Sequence, residues 1–583
     1  MCTFASKTVF LFLLMAQYIL GINCSGFHSS ACLLGPDGRV RVAIAEERLS
    51  RVKQDKSFPR LAIQYCCEAA GIKLTDVADV FIGWNPAPYL LQPQQALADA
   101  FQNRGKLAQL TLNELAALQG GVSSIGQTLT GLQGSQMRLH YVDHHRAHLA
   151  NALLQSGFEE ADFFVADGFG ETATGLLGTA TTTGLQELAA NRTPHSLGLF
   201  YGAFTEFLGF RPNSDEWKIM ALAARGNSET YYELLRPLIQ VSGLHFELDL
   251  RYFEFFLFFT PHYYSPKLVE LLGPPLPPGA EPTQREFDLV AAVQRITEEV
   301  VFELLRNLHA RTGGRRLVLG GGVLMNSVLN GKLTRHTPYK EVFVGATPDD
   351  TGIGVGSALY GHKFVLDLPT PPTPASTHNF FGREYAEAEM AAELQRRKLR
   401  YERPENLTAA AATLLHAGQV IGWFQGASEF GQRALGHRSI LANPTRPDMK
   451  TRVNASIKYR EAFRPFAPAV PVERQHEFFE VPTGETAYFM EKVFLLLPPA
   501  RRQLPAVTHD DGTGRLQSVR AADNPLFHEL LLVFEQHSGV PVLLNTSFNL
   551  NGMPLVESPA DALDCYLRSG LDALVLGPFL LRK

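Results

Sequence analysis

Residues 137–148 read MRLHYVDHHRAH and hold histidines at positions 140, 144, 145 and 148. Imidazole nitrogens bind metal ions and carry protons near neutral pH, so spacing decides what such a run can do. His144 and His148 are four residues apart. On a helix that begins near His144 their rings share one face, one turn apart, while His140 and His145 point elsewhere. That arrangement suits two ligands of one ion, and an ordinary pair of core or surface histidines has the same spacing. Two carboxylates complete a candidate set. Asp167 in FFVADGFGE and Asp350 in FVGATPDDTG each follow an apolar strand-like run, where open α/β sheets carry their active groups. Asp349 is an alternative to Asp350. Two imidazoles with two carboxylates suit iron(II), manganese or zinc better than calcium or magnesium. No thiolate accompanies them, which argues against a structural zinc site.

Glycines surround these aspartates. Gly168 and Gly170 follow Asp167; Gly320, Gly321 and Gly322 precede a helix and Asn326; Gly352, Gly354 and Gly356 follow Asp350. Loops without side chains let a phosphate approach, and helix N-termini favour anions. Strand-to-helix turns use glycines in the same way without any ligand.

A second group is basic. Between Glu429 and Arg464 lie Arg433, Arg438, Arg446, Lys450, Arg452, Lys458, Arg460 and Arg464, opposed by Glu429, Asp448 and Glu461. A charge run is commonly a solvated face. These arginines, however, are interleaved with Phe430, Leu435, Ile440, Phe463, Phe466 and two prolines. Guanidinium groups held among apolar, rigid residues match phosphate oxygens in pairs. Further basic stretches are missing, which favours a polyphosphate nucleotide over RNA.

These residues need elements to hold them. A chain of 583 residues exceeds one core, so two or three domains are expected. Hydrophobic residues at 45% and charged residues at 19% describe a folded globular protein. The net charge of −5 gives no field to recruit nucleic acid or anionic membrane. The six cysteines include no C-x-x-C pair, and a reducing compartment fits best. The apolar run from Val9 to about Ile22 is short for a membrane span. It allows a signal peptide as a minor alternative to a dispensable extension ahead of a cytoplasmic domain.

Residues 18–48 read as two strands of a hairpin turning at GPDG (35–38). A helix over 61–71 and a strand over 77–84 follow, then a largely helical stretch over 92–135. Strand–loop–helix punctuation recurs at 21–31, 167–175, 320–327 and 348–356, which suggests a doubled α/β architecture around a cleft. Helices dominate 196–310, and the aromatic run at 252–264 reads as core before pocket lining. LDLPTPPTPAST (366–377) is a linker by composition. The expected division is therefore 18–365, a linker over 366–377, and a second α/β domain over 378–583.

The stretches ILGINCSGFHSSACLL, EERLSRVKQDKSFP, VDHHRAHLANA, DGFGE, HSLGLFYGAFTEFLGF, LVLGGGVLMNSVLNGKL, EFGQRALGHRSILANP, IKYREAFRPFAPAV and NTSFNLNGMPLV resemble, in order, the O-carbamoyltransferase family of antibiotic-tailoring and nodulation enzymes. The resemblance spans residues 18 to 583. It implies an N-terminal domain of the actin, sugar-kinase and heat-shock ATPase superfamily, with iron(II) held by His144, His148, Asp167 and Asp350. It implies nucleotide binding there by Gly168, Gly170, Gly321, Gly322 and Asn326. The C-terminal domain is similar to the YrdC-like fold that makes carbamoyl-adenylates. There Arg433 and Arg438 would hold phosphates, Lys458 and Arg460 match the Lys-x-Arg motif, and Arg464, Ser547 and Asn549 would complete a pocket for ATP and carbamoyl phosphate. The chain departs from the family pattern at GFHSS, in EWKIMALAARG (which keeps Lys218 and Met220), and at Gln432, where the family pattern has proline.

The implied activity joins carbamoyl phosphate and ATP, with magnesium, into carbamoyl-adenylate. The carbamoyl group then passes to a hydroxyl of a small molecule, a sugar or secondary metabolite. An unstable adenylate requires the two sites to face one enclosed chamber. His28, between a strand and a helix, is the candidate base, with a capping or core histidine as the alternative. Two other classes stay open: threonylcarbamoyl transfer to tRNA, and a non-catalytic actin-like nucleotide switch.

Overall fold

The computed structural model describes residues 18–85, 137–257, 260–369, 374–460 and 464–583. The extension expected over 1–17 and the helices expected over 92–135 lie outside the described residues. Among those described, the chain forms three larger sheets. The first is built from β1 (Tyr18–Asn23), β2 (Ser30–Leu34), β3 (Val40–Ala45), β4 (Val77–Ile82) and β5 (Arg138–Tyr141), in the order β3-β2-β1-β4-β5. β1, β2 and β3 run antiparallel in sequence, and β4 and β5 continue parallel to β1. The sequence reading placed one hairpin here. GPDG does close the β2–β3 turn, with Gly38 N–H donating to Gly35 O at 2.9 Å, but residues 24–29 bend the expected first strand into two.

The second sheet contains β6 (Glu160–Ala166), β7 (Ala173–Thr181), β8 (Gly184–Arg192), β11 (Arg316–Gly320) and β12 (Glu341–Val344), in the order β12-β11-β6-β7-β8. A separate ribbon pairs β9 (Ile239–Ser242) with β10 (His245–Leu248). β6, β7 and β8 form an antiparallel meander, and β11 and β12 lie parallel to β6. This is the plan of the first sheet repeated, so the doubled α/β halves expected from the punctuation are present. The repeat lies in topology, and no sequence repeat accompanies it.

Each half ends its fifth strand with a helix that packs on the other half's sheet. α2 (His144–Leu153) follows β5, while α1 (Arg60–Ala70) links β3 to β4. Leu149 and Leu153 of α2 cluster with Phe163, Val165 and Val318 of the second sheet. Between β8 and β11 lie α3 (Leu197–Phe207), α4 (Glu216–Ala223) and α5 (Gln284–Thr312), and α6 (Ile353–Tyr360) follows β12. Ile353, Val355 and Leu359 of α6 join Ile19, Cys32 and Phe81 of the first sheet. The two helices touch where Gly356 faces Ala147: a Cβ at Gly356 would stand 1.9 Å from Ala147 O. Glycine is required there because two backbones meet. The exchange of helices brings the start of α2 and the start of α6 to one point.

The C-terminal unit is a seven-stranded mixed sheet. Its strands are β13 (Ile421–Phe424), β14 (Arg438–Ala442), β15 (Ala467–Pro471), β18 (Gln517–Val519), β19 (Leu543–Ser547), β20 (Ala573–Leu576) and β21 (Phe579–Arg582), ordered β18-β15-β19-β14-β13-β20-β21. β16 (Val493–Leu495) and β17 (Thr513–Arg515) form a small ribbon beside it. Trp423, Phe424, Ile440 and Leu543, all buried, belong to its core. Arg48 binds the unit to the first half, donating to Gly431 O at 2.7 Å, and Tyr65 does so by donating to Glu557 at 2.6 Å. No helix among the described residues is long and apolar enough to cross a membrane.

Candidate metal centre and shared cavity

α2 starts where Glu171, from the loop after β6, accepts the His144 N–H at 2.9 Å. The same carboxylate accepts the Asn85 N–H at 2.8 Å. Burial raises the Glu171 carboxyl. With the helix start fixed, His144 and His148 present their Nε2 atoms to one point, 3.2 Å apart. Asp167 Oδ2 lies 2.9 Å from His148 and 3.6 Å from His144. Asp350 Oδ1 lies 3.5 Å from each ring. All four donor atoms fall within 4.8 Å of one another. Metal–ligand bonds of about 2.0–2.2 Å set neighbouring donors roughly 3.0–3.5 Å apart, so this set has the dimensions of a cation site. The donors are two neutral nitrogens and two carboxylates, which fits iron(II), manganese or zinc.

Electrostatics agree. Burial lowers His148, yet the carboxylates of Asp167 and Asp350 outweigh it and push its pKa up to about 9. Against its own burial, Asp167 is held well below the usual carboxylate range by the two histidines. The cluster is built to hold positive charge. His145, turned away, is pushed down to about 3 by burial and by its histidine neighbours. It packs on Gly170, where a Cβ would lie 2.6 Å from the ring. His140 bonds Asp79 at 2.7 Å and plays no part.

Two residues missed in the sequence complete the setting. Asn23, fully buried at the end of β1, donates to Asp350 O at 2.8 Å and to Phe27 O at 2.7 Å. It fixes the His28 loop against the metal site, and its signal was a lone amide ending an apolar strand. Gln432, from the C-terminal unit, places its amide nitrogen 2.9 Å from His28 Nδ1, 3.2 Å from Asp349 Oδ2 and 3.1 Å from Thr351 Oγ1. Gln432 thereby ties His28, Asp349 and Thr351 into one hydrogen-bond cluster. His28 is in the left-handed region at φ 45°.

One cavity of about 760 Å³ runs from His28, Asp167, Asp349 and Asp350 to Arg433, Arg460, Arg464 and Ser547. Gly168, Gly322 and Asn326 line it as expected. Asn326 is already engaged, exchanging hydrogen bonds with Gln294 at 2.9 and 3.1 Å. Gly170 and Gly321, expected beside them, are not among the residues that line the cavity. Gly321 has φ +91° and faces Ala166 O, which a Cβ would meet at 2.1 Å. At the basic end Arg515, on β17, joins Arg433 and Arg460 in the wall. Burial and these two neighbours push Arg515 well below the usual arginine range. Arg433 is lowered by burial, while Asp349 pulls it upward, so the basic end reaches the metal end. The Arg464 guanidinium lies 4.3 Å from the Trp217 ring centroid.

Three expected phosphate or substrate binders stand behind this wall. Arg438 is fully buried, with its guanidinium 3.6 Å from the Phe424 centroid. It donates to the Gln425, Gly426 and Glu557 carbonyls. Lys458 spends its ammonium on the NTSFN turn: Ser547 O, Ser547 Oγ at 3.2 Å, Asn549 O at 3.1 Å and Asn549 Oδ1 at 2.7 Å. Asn549 is thereby an acceptor for Lys458. Lys458 and Asn549 build the turn that presents Ser547, and the Arg438 backbone carbonyl accepts the Phe548 N–H beside it at 2.9 Å.

Two family models match the chain: "Carbamoyltransferase N-terminus" over residues 18–359 and "Carbamoyltransferase C-terminus" over 412–583. The chain belongs to the carbamoyltransferase family. Among its relatives, nodulation protein NolNO of Sinorhizobium fredii is 36% identical over 568 residues, covering 95% of this chain and 79% of that protein. An uncharacterised protein of Synechocystis sp. is 34% identical, with 97% of both chains covered. The 3'-hydroxymethylcephem-O-carbamoyltransferase of Streptomyces clavuligerus is 33% identical over 254 residues, 42% of this chain and 45% of that one.

Proposed function

We propose that this carbamoyltransferase moves a carbamoyl group from carbamoyl phosphate, through carbamoyl-adenylate, to a hydroxyl of a small molecule. The observation that carries the proposal is the single cavity of about 760 Å³ whose wall holds both Asp167 and Asp350, the two carboxylates of the four-donor set, and the half-buried Arg433, Arg460 and Arg515. Arg433, Arg460 and Arg515 neutralise the phosphates of ATP and of the carbamoyl donor. Carbamate, left when carbamoyl phosphate loses phosphate to water, bonds through oxygen to the α-phosphorus of ATP, and pyrophosphate leaves. On this reading the C-terminal unit is the YrdC-like adenylate-forming domain. The adenylate then needs only to cross the cavity, where Gly168 and Gly322 leave room for its phosphate. His144, His148, Asp167 and Asp350 would hold iron(II), or manganese or zinc, which when bound supplies Lewis-acid polarisation. His28 donates a ring N–H toward the oxygen that gains charge. The acceptor oxygen bonds to the carbamoyl carbon, the bond to AMP breaks, and the hydroxyl proton passes to the departing AMP phosphate. Threonylcarbamoyl transfer to tRNA and a nucleotide switch are disfavoured by the family match over both units.

The test is carbamoyl-phosphate-dependent ATP–pyrophosphate exchange with the full chain. Exchange that requires carbamoyl phosphate supports the reading. Exchange driven equally by threonine and bicarbonate, or none at all, overturns it.

A further inference from the structure

A second cavity of about 330 Å³ adjoins the first, and Phe27, Gln54, Phe169, Asn213 and Ser214 belong to both walls. The throat between them is aromatic. Phe27 directly precedes His28, and Phe169 stands two residues after Asp167. Their rings meet edge to face with centroids 5.7 Å apart. A group that passes this pair arrives beside both His28 and the four-donor set. Deeper in, Phe255 and Tyr263 add further ring surface, and the Asn213 amide donates to Tyr263 Oη at 2.9 Å.

Charge in this second cavity has one sign. Lys56 and Arg211 line it, and no carboxylate does among the described residues. The Lys56 ammonium lies 4.7 Å from the Phe27 centroid, at the throat itself. Arg211 lies 3.6 Å from Asp215, but that carboxylate also meets Lys218 at 3.3 Å. Glu206 and Glu216 stand behind the wall, accepting the Tyr263 and Asn213 N–H groups, so the charges that line the cavity itself are those of Lys56 and Arg211. Aromatic walls favour a weakly hydrated body over a heavily hydroxylated one, and the two cations favour an anion at its edge. A pocket near 300 Å³ is the size of a small organic molecule.

We propose that this cavity is the acceptor subsite and that the acceptor is an organic anion. Its ring or unsaturated body lies among Phe27, Phe169 and Tyr263, its carboxylate or phosphate faces Lys56 and Arg211, and its hydroxyl points through the throat toward His28. The assignment of this ligand as acceptor rests on the carbamoyl-transfer reading, whereas its charge and shape rest on the cavity alone.

The test uses three probes with one body: 4-(hydroxymethyl)benzoate, 4-(hydroxymethyl)phenyl phosphate and the neutral 4-(hydroxymethyl)benzamide. Each is titrated against the full chain by ligand-observed NMR, with the unaltered protein and with Lys56→Glu. Lys56 is exposed, so the substitution leaves the core intact. At least one anionic probe should bind about tenfold more tightly than the amide, and Lys56→Glu should erase that preference while amide binding persists. Which anion binds more tightly identifies the acidic group. Equal binding of all three overturns the proposal. So does an anion preference that survives Lys56→Glu, since it places the anions on the arginine cluster instead. ATP–pyrophosphate exchange on the unaltered chain reports separately on carbamoyl activation. Exchange without an anion preference removes only the subsite, and the preference without exchange removes only the activation chemistry.

Discussion

At the scale of single residues, the four-donor set makes the sharpest demand. Two imidazole nitrogens 3.2 Å apart share two carboxylates in a buried pocket. The carboxylates draw positive charge to this point, and a bound cation would supply it. Asp350→Asn removes one anionic donor and should lower metal affinity on the order of 100-fold while the chain stays folded. Metal content per chain after dialysis, read by plasma mass spectrometry, checks this; full retention would show that Asp350 is not a ligand. Gln432 is a positioning residue of another kind. It holds the His28 ring from across the unit boundary. Gln432→Leu frees Nδ1 and leaves Asp349 without that partner. Turnover should fall about tenfold with little change in acceptor KM. The 15N shifts of the His28 ring, which report its tautomer, should change on loss of the Gln432 contact. The four donors were legible because helical spacing and post-strand position both show in sequence. Arg438 was read as a phosphate binder because its targets, an aromatic face and four carbonyls, leave no mark on spacing. Arg515 was overlooked for the converse reason: it stands outside the basic run, and only the β16–β17 ribbon carries it to Arg433 and Arg460.

At the scale of elements, the site depends on how closely α2 and α6 approach. The first supplies both histidines, and the turn that opens the second supplies Asp350. Gly356→Ala puts a methyl 1.9 Å from Ala147 O, so the helices must part. The expected result is loss of metal binding together with a stability loss of about 1–3 kcal/mol. Gly184→Ala, at a hairpin turn with nothing within 4 Å of the new methyl, should change neither. Metal content and urea denaturation of the pair distinguish close helix packing from general sensitivity to substitution. A second contact, between the halves and the C-terminal unit, carries a pH signature. Asn330 donates to Glu491 O at 3.0 Å, and a Cβ on Gly331 would strike Val493 O at 2.0 Å. Burial pushes the Glu491 carboxyl up to about 7. The folded state thus holds this proton more tightly than the unfolded chain does. Its contribution is complete below the ordinary glutamate value and is lost as pH rises through about 7. Glu491→Gln, which keeps the hydrogen-bonding shape without the charge, should be nearly neutral at pH of about 5. At pH of about 8 it should stabilise by on the order of 1–3 kcal/mol in urea titrations.

At the scale of the whole molecule, the repeated sheet plan and the added seven-stranded unit serve one cavity. The punctuation of strands and glycine turns foretold the doubling. The shared strand order, with each half's fifth-strand helix packed on the other half's sheet, is a property of topology that no local pattern records. A shared cavity has a kinetic consequence. If adenylate forms beside Arg433, Arg460 and Arg515 and is consumed beside Asp350, it has no need to leave the protein between the two events. Removing either end should therefore have different effects. Arg515→Ala withdraws a half-buried positive charge from the phosphate end and should depress carbamoyl-phosphate-dependent exchange by about 100-fold. Asp350→Asn should leave exchange within about threefold of the unaltered chain and abolish transfer to the acceptor, since its carboxylate stands at the other end. Added hydroxylamine then reports on enclosure. During full turnover it should capture little hydroxyurea, because the adenylate meets its acceptor before bulk water. With Asp350→Asn the stranded intermediate should outlive its protection, and captured hydroxyurea should rise. Abundant capture from the unaltered chain would mean that the adenylate crosses solvent, and the common cavity would then have no part in the transfer.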